Sequence, residues 1–316
     1  MSENDYFLSA DRADSQQELF PIREVARLTG VNPVTLRAWE RRYGLIRPTR
    51  TESGHRLYSP ADVAEVKAIL GWLERGVAVS KVGKLLARSQ AARAPQAPEP
   101  RRGLNEYAQW RARLTTAVQA FDESALVRLY GQVFSTYPLG VAFEEVFMPV
   151  WEEVRLRQDG FGSASEWTFL DQFLRGQVLR RLQFSTFEES DSCVLLCAIP
   201  GQCFELELLV AALMLSNEHT WVRPLGLGQP LEELGLVCER VQPSAVVLFS
   251  NHAPAADTAK RLLKLSLQLE CPLLLAGEFS ELIQDQLVNS SIGCLGNHGP
   301  LMQRRLAQYA AGHLDT

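Results

Sequence analysis

Three arginines and a threonine in one short segment have the spacing of a nucleic-acid-binding helix. Arg37 and Arg41 are four residues apart, so on a helix their side chains project from one face. Arg42 lies beside Thr35 on the neighbouring face. Guanidinium groups bind phosphates and the edges of bases, so both faces are candidates for contact with DNA.

A basic turn follows this segment. It runs from Arg47 to Tyr58 and has Gly54 at its tip. We interpret it as a wing, a hairpin that lies beside the helix. Its basic side chains are expected to contact phosphate, and they are Arg50, His55 and Arg56.

The charge of the chain is distributed unevenly. Residues 20–94 carry 14 Lys and Arg against 6 Asp and Glu, whereas the rest of the chain has 18 basic and 31 acidic residues. A basic module on an acidic chain indicates nucleic-acid binding by that module. The alternative is a solvated basic face without a partner.

Two later turns repeat the dipeptide Asn-His. Asn251 and His252 follow Ser250 in the first turn, and Asn297 and His298 form the second. Polar groups at the carboxyl ends of parallel strands lie at the sheet edge where open α/β folds bind ligands. The simpler alternative is that asparagine and the nearby proline only start the next helix.

Other chemistry finds no support in the sequence. Cys193 and Cys197 are four residues apart on a predicted strand, hence about 13 Å apart, too far to chelate one metal ion. Nucleophile-elbow, phosphate-loop and zinc-protease motifs are missing. We therefore predict no catalytic residues and no metal site, and we expect the six cysteines to be buried free thiols.

The basic module carries the local signals of a helix-turn-helix. Its first helix is predicted over Ile22–Thr29 and ends at Gly30. Asn32 caps the second helix, which has Pro33 at its first position and is expected to enter the major groove. The side chains expected in the core are Ile22, Val25, Ala26 and Leu28 on the first helix and Leu36, Trp39 and Tyr43 on the second.

Composition divides the chain, whose 316 residues suffice for two or three domains. Prolines at 95, 98 and 100 indicate an extended linker. Helical spacing follows, with breaks at Pro138 and Gly160 that predict about four helices. The predicted parts are a flexible tail (1–19), a winged helix-turn-helix (20–88), the linker (89–103), a four-helix bundle (104–189) and an α/β domain (190–316).

The last part alternates short apolar runs with helical stretches, which predicts βαβ units and a doubly wound, five-stranded parallel sheet. The predicted strands are Cys193–Ile199, Trp221–Gly226, Ala245–Phe249, Leu273–Gly277 and Ile292–Leu295. No apolar run could span a bilayer, and the N-terminus has no apolar signal core. We expect a cytoplasmic protein without a membrane partner.

The basic module resembles a known family. Residues 33–45 read PVTLRAWERRYGL, and residues 54–58 read GHRLY. These stretches are similar to the winged helix-turn-helix of the MerR family, and specifically to its MlrA-type and cobalamin-dependent CarH-type branches. The resemblance implies a dimer that binds a near-palindromic promoter. The proline linker stands where many MerR proteins continue into a long heptad helix, so dimerisation through such a helix is not expected.

The C-terminal parts resemble the cobalamin-binding region of the CarH-type branch. There, an Asp-x-His-x-x-Gly motif after the first strand supplies the cobalt-binding histidine and a glycine for close approach. Gln202, Phe204 and Glu207 stand at the motif positions, and Glu166-Trp167 stands where that branch has Glu-His in the bundle. We predict that cobalamin does not bind. A remodelled pocket for another ligand would contain Phe204, Ser250, Asn251, His252, Asn297 and His298.

These patterns predict a transcriptional regulator whose sensor region serves oligomerisation, partner binding or the sensing of another ligand. The expected partners are promoter DNA, RNA polymerase at the promoter, a second copy of the chain and a signalling protein. The first alternative is a light- or cobalamin-responsive regulator. A corrinoid methyltransferase-like enzyme would leave the basic module unexplained, and a scaffold for a signalling protein could coexist with DNA binding.

Overall fold

The structure is a computed structural model that describes residues 19–51, 55–83, 86, 102–157, 160–184 and 192–311, with only the backbone of 102–105 and 184. The predicted tail up to residue 18, the wing tip at Gly54 and residues 89–101 of the predicted linker lie outside the described residues. The chain divides into two compact units, residues 1–96 and 97–316.

The N-terminal unit is a helix-turn-helix with a small antiparallel sheet. The three strands pair in the order β1-β3-β2. Residues 79–83 are also helical. The elements are β1 (Phe20–Pro21), α1 (Ile22–Thr29), α2 (Pro33–Ala38, which continues as a π-helical turn, Trp39–Tyr43), β2 (Thr49–Arg50), β3 (Arg56–Tyr58) and α3 (Pro60–Glu74).

Local signals set the ends of the first two helices. Gly30 adopts φ +71° after α1, a conformation that glycine takes without strain. The side chain of Asn32 accepts a hydrogen bond from the Val34 N–H at 2.8 Å, and Pro33 occupies the first turn of α2. The predicted caps are therefore confirmed.

The core of this unit differs from the prediction at two positions. Val25, Leu36 and Trp39 are buried as expected. Tyr43, however, is 45% exposed, because it ends the π-helical turn, whose wider spacing removes it from the face that Leu36 and Trp39 share. Leu28 is also exposed, at 39%, although it lies one turn after the buried Val25.

Four helices open the C-terminal unit, as predicted. The first begins at Arg102, so the last two residues of the predicted linker are helical. The helices are α4 (Arg102–Gln119), α5 (Glu123–Thr136), α6 (Leu139–Val141, a π-helical segment Ala142–Phe147, and Met148–Leu156) and α7 (Ser163–Phe184).

A five-stranded sheet follows, with all strands parallel and in the order β5-β4-β6-β7-β8. The prediction of a doubly wound sheet is confirmed; β6 has the predicted bounds, and most ends of the other strands shift by one or two residues. The elements are β4 (Ser192–Ala198), α8 (Glu205–Leu215), β5 (Thr220–Pro224), α9 (Leu234–Val241), β6 (Ala245–Phe249), α10 (Thr258–Ser266), β7 (Leu273–Ala276), α11 (Glu278–Ile283), β8 (Gly293–Gly296) and α12 (Gly299–Ala310).

The two faces of the sheet bury different side chains. Leu196 and Val247 belong to a core that the sheet shares with the four-helix bundle, α8 and α12. Leu195 and Leu248 belong to a second core, under α9, α10 and α11. Burial on both faces explains why the central strands are continuous apolar runs.

Candidate nucleic-acid interface and candidate ligand site

The predicted basic face of α2 is accessible. Arg37, Arg41 and Arg42 are exposed, and Thr35 is half-buried between them. Val34, at the start of the same helix, is 66% exposed, although valine is apolar. N-terminal residues of a recognition helix reach base edges, and apolar side chains there contact the thymine methyl group. The face therefore offers both cationic and apolar groups to DNA.

The hairpin arginines have an intramolecular partner that sequence reasoning missed. Glu40 projects from α2 toward the hairpin, and its carboxylate accepts hydrogen bonds from both arginines. Arg50 Nη2 lies 2.8 Å from Oε1, and Arg56 Nε lies 2.5 Å from Oε2. Arg56 is only 23% exposed. The pairing fixes the hairpin to α2 and leaves Arg56 less available to phosphate than predicted. Glu40 is the one carboxylate among the arginines of α2, and this position in the sequence could have indicated the pairing.

The electrostatics of this triad favour a charged Glu40. Burial raises the pKa of the Glu40 carboxyl, but the hydrogen bonds and charges of Arg56 and Arg50 outweigh burial and hold the pKa below its ordinary value of 4.5. The carboxylate is therefore ionised at neutral pH, and both ion pairs are present.

His55 closes the described part of the hairpin. Its backbone N–H donates to Thr51 Oγ1 at 3.0 Å, and its carbonyl accepts from the Thr51 N–H at 2.9 Å. The imidazole is exposed. It can therefore reach a ligand outside the unit, although its contact with phosphate stays a prediction.

In the C-terminal unit, the turn after β4 packs against the bundle through aromatic rings. Phe204 lies 5.4 Å from Trp151 and 5.9 Å from Trp167 between ring centroids, both edge to face. The Arg155 guanidinium lies 5.3 Å from the centroid of the Phe204 ring. Phe204 is thus enclosed by side chains of α6 and α7.

Glu207 lies three residues later and is buried, with 6% of its surface exposed. Its carboxylate accepts hydrogen bonds from the Phe204 N–H at 3.0 Å and from Asn251 Nδ2 at 2.8 Å. Asn251 Oδ1 in turn accepts from the Glu278 N–H at 3.2 Å. These bonds join the ends of β4, β6 and β7, so the buried charge is satisfied by the protein itself.

The remaining predicted residues divide between two positions. The Ser250 hydroxyl donates to the Gln202 carbonyl at 2.7 Å and accepts from the His252 N–H at 3.0 Å. Asn297 and His298 follow β8, two strands from β6, so about 10 Å away at ordinary strand spacing. The predicted pocket residues therefore form two groups at the same sheet edge, and a pocket that they share stays a prediction.

The described residues offer little for metal or thiol chemistry. They contain no group of three or more His, Cys, Asp or Glu that could hold a metal ion. All six cysteines are free, but only Cys197 and Cys238 are fully buried, so the expected burial holds in part. Burial raises the pKa of both thiols to about 12. No helix in the described part of the chain is both long and apolar enough to cross a bilayer.

Comparison with known proteins agrees with the resemblance. The family described as MerR HTH family regulatory protein matches residues 20–89. The HTH-type transcriptional repressor CarH of Myxococcus xanthus is 32% identical over 256 residues, which cover 78% of this chain and 85% of CarH. This chain belongs to the MerR family. It is a DNA-binding transcriptional regulator, for which promoter DNA is the implied partner.

Two further matches cover parts of this MerR-family protein. The HTH-type transcriptional regulator MlrA of Escherichia coli is 55% identical over 69 residues, which cover 22% of this chain and 28% of MlrA. The monomethylamine corrinoid protein of Methanosarcina barkeri matches with a TM-score of 0.45 and 10% identity. The matched region covers 64% of this chain and 99% of the corrinoid protein. The curated relatives are regulators and not enzymes.

The residues at the motif positions do not fit cobalamin as the CarH-type motif would hold it. Phe204 has no donor atom for cobalt, and its ring is packed between Trp151 and Trp167. Glu207 stands where the motif has glycine, and its side chain is fixed by two hydrogen bonds. Phe204 therefore occupies the position of the cobalt-binding histidine. The Glu207 side chain occupies the space that a glycine would leave for the cofactor.

Proposed function

We propose that this MerR-family protein is a promoter-binding repressor whose CarH-type sensor region works without cobalamin. The exposed arginines of α2 bind the operator, and the hairpin supports them. The C-terminal unit holds copies of the chain together and senses a partner or a ligand other than cobalamin. Repression is inferred from CarH, which is named a repressor and matches along most of the chain.

One observation supports the proposed loss of cobalamin binding. The turn at Phe204 is closed by contacts within the protein. The Phe204 ring packs against the aromatic side chains of the bundle, and the Glu207 carboxylate accepts a hydrogen bond from the Asn251 side chain. A cofactor placed at this turn would have to break both sets of contacts. Removing a partner from a buried charged group costs about 1–3 kcal/mol or more, so the closed turn is favoured.

Oligomerisation follows from how operators are read. A single winged helix contacts one half-site, and a two-fold operator needs two copies held about one helical turn apart. The predicted linker separates the N-terminal unit from a C-terminal unit that has its own large core. We assign the association of copies to the C-terminal unit. Bound copies would exclude RNA polymerase from the promoter. A regulator that acts in this way works in the cytoplasm.

The test of the cofactor proposal is an absorbance spectrum of the full-length protein after incubation with adenosylcobalamin or methylcobalamin and removal of free ligand. We expect a colourless protein, because no nitrogen donor stands at position 204. The variant Gln202→Asp/Phe204→His/Glu207→Gly rebuilds the motif. It is the positive control, which shows whether the measurement detects weak binding of cobalamin. A red wild-type protein with a cobalt-histidine spectrum contradicts the proposal, and loss of that spectrum in His252→Ala would identify the ligand.

The second candidate function is a cobalamin-responsive regulator, favoured by the length over which CarH matches. It differs from our proposal in one measurable property. Operator affinity of a cobalamin-responsive protein changes when adenosylcobalamin is added or when the complex is illuminated. We expect no change in either condition.

A further inference from the structure

A cavity of about 350 Å³ opens in the C-terminal unit, under α10 on the sheet face away from the four-helix bundle. Its inner wall includes Ile199 at the end of β4, and its outer wall includes Leu262 and Leu265 of α10. Cavities that bind small molecules have volumes of roughly 300–1,000 Å³. The size is therefore that of a small-ligand site.

The cavity lies at the switch point of the sheet. β4 and β6 are neighbours; the chain runs on from β4 to β5 on one side and from β6 to β7 on the other, so the connections that leave these two strands run in opposite directions. Open α/β sheets bind ligands in the crevice outside the carboxyl ends of two such strands. Residues that follow β4 and β6, among them Pro200 and Ala255, line this cavity, whereas Phe204 and Glu207 do not. Of the three residues at the motif positions it therefore shares only Gln202 with the turn that replaces the cobalamin motif.

The lining combines an apolar wall with an excess of positive charge. Leu231 completes the apolar side. Arg261 and Lys264 supply two positive charges at the exposed rim, and Glu232 supplies one negative charge. Arg261 Nη2 lies 3.6 Å from Glu232 Oε1, and both side chains are mostly exposed, so this pair is weak and leaves the rim cationic.

Gln202 adds a polar group on the inner side. Its backbone carbonyl is held by the Ser250 hydroxyl, which fixes the turn. Its side-chain Oε1 is a buried atom without a hydrogen-bond partner in the described part of the chain. Buried acceptors without partners are unfavourable, so a ligand with an N–H or O–H donor would be stabilised here once the Gln202 side chain turns toward the cavity.

We propose that this cavity binds a small amphipathic organic anion, with an apolar body against Ile199, Leu262 and Leu265, an anionic carboxylate toward Arg261 and Lys264, and a donor toward Gln202. The inference goes beyond the proposed function, because it assigns a site and a ligand class on the opposite face of the sheet. It does not depend on whether cobalamin binds at the Phe204 turn.

The experiment uses 1-anilinonaphthalene-8-sulfonate as the probe, since this dye has an apolar ring system, one anionic group and one N–H. The dye is titrated into the full-length protein, and its fluorescence is fitted to a binding curve. We expect one saturable site. Arg261→Gln/Lys264→Gln should weaken binding about tenfold, which corresponds to about 1.4 kcal/mol. Ala255→Trp, which places a large side chain at the mouth, should weaken it as well.

Lys260→Gln is the matched control, because Lys260 is an exposed cation on α10 that does not line the cavity. Its binding curve should equal that of the wild type. Circular dichroism and operator binding of every variant confirm that the fold and the DNA interface are intact. Absence of saturable binding, or equal affinity in the cavity variants and in Lys260→Gln, overturns the proposal. Cobalamin spectra of the same proteins report separately on the proposed function.

Discussion

Glu40 and Arg56 form the ion pair that joins the candidate recognition helix α2 to strand β3 of the hairpin, with 2.5 Å between Glu40 Oε2 and Arg56 Nε. The orientation of the hairpin relative to the helix therefore depends on a pair of partly buried side chains. Arg56 thus acts within the unit, whereas Arg42 is exposed and faces outward. The two arginines should respond differently to substitution.

Arg42→Ala and Arg56→Ala should both weaken operator binding, for different reasons. Arg42→Ala removes a phosphate or base contact, and if that contact is to phosphate the slope of log K against log salt becomes shallower by about 0.9. Arg56→Ala also lowers the free energy of unfolding, because Glu40 loses a partner. Fluorescence anisotropy at several salt concentrations, together with urea denaturation, measures both effects.

Lys67→Ala is the control for these arginines, because Lys67 is an exposed cation on α3 of the same unit. Its unfolding curve should equal that of the wild type. Unchanged operator affinity in both arginine variants would remove the assignment of α2 and the hairpin to DNA.

The Glu40 pair gives the N-terminal unit a specific dependence on pH. The folded pKa of Glu40 is lowered, so its contribution to stability is present above the ordinary value of 4.5 and is lost as the pH falls through the lowered value. Thermal melting of a fragment of residues 1–96 should show a smaller difference between wild type and Glu40→Gln at pH 3 than at pH 7. A difference independent of pH would show that the charge of Glu40 does not contribute.

The features that follow from local patterns could be predicted from the sequence. The ends of α1 and α2 depend on Gly30 and Asn32 within one turn, and β6 is an apolar run because both of its faces are buried. Tyr43 could not be placed, since the π-helical turn that exposes it is not marked by any residue type. The Glu207–Asn251 bond joins residues 44 positions apart, and only the parallel register of β4 and β6 brings them together.

The bond between Glu207 and Asn251 should stabilise the closed turn. Asn251→Ala leaves a buried carboxylate with one fewer donor and also removes the acceptor of the Glu278 N–H, so it should lower the free energy of unfolding by about 1–3 kcal/mol. Glu207→Ala should have an effect in the same range. In a double-mutant cycle the two losses should be less than additive. Additive losses would show that the two side chains do not interact.

Phe204→Ala should open the aromatic cluster. Phe204 is half-buried, so the loss of packing should cost about 2–3 kcal/mol, at or below the lower end of values for fully buried phenylalanines. Trp151 and Trp167 lose a neighbour, and their emission should shift to longer wavelength in the folded variant. Phe204→Leu, which keeps an apolar side chain, should retain most of the stability. An unchanged emission spectrum of Phe204→Ala would contradict the enclosure of this ring.

The remaining prediction is that copies of the full-length protein associate. The exposure of aromatic side chains on the bundle bears on which surface they use. The bundle carries eight large aromatic side chains, which would favour association if they formed an exposed surface. In the structure only Phe121 of that set is exposed, at 49%, and the others are buried or half-buried. In the described part of the bundle these eight side chains therefore form no exposed aromatic surface. The eight are Trp110, Phe121, Phe143, Phe147, Trp151, Trp167, Phe169 and Phe173.

The need for two copies at a two-fold operator does not depend on those rings. We expect the full-length protein to sediment as a dimer or larger at micromolar concentration and a fragment of residues 1–96 to sediment as a monomer. Operator binding should be cooperative only for the full-length chain, because only it holds two recognition helices at a fixed spacing. A monomeric full-length protein that binds no more cooperatively than the fragment would place the association elsewhere, in the DNA-bound N-terminal units themselves.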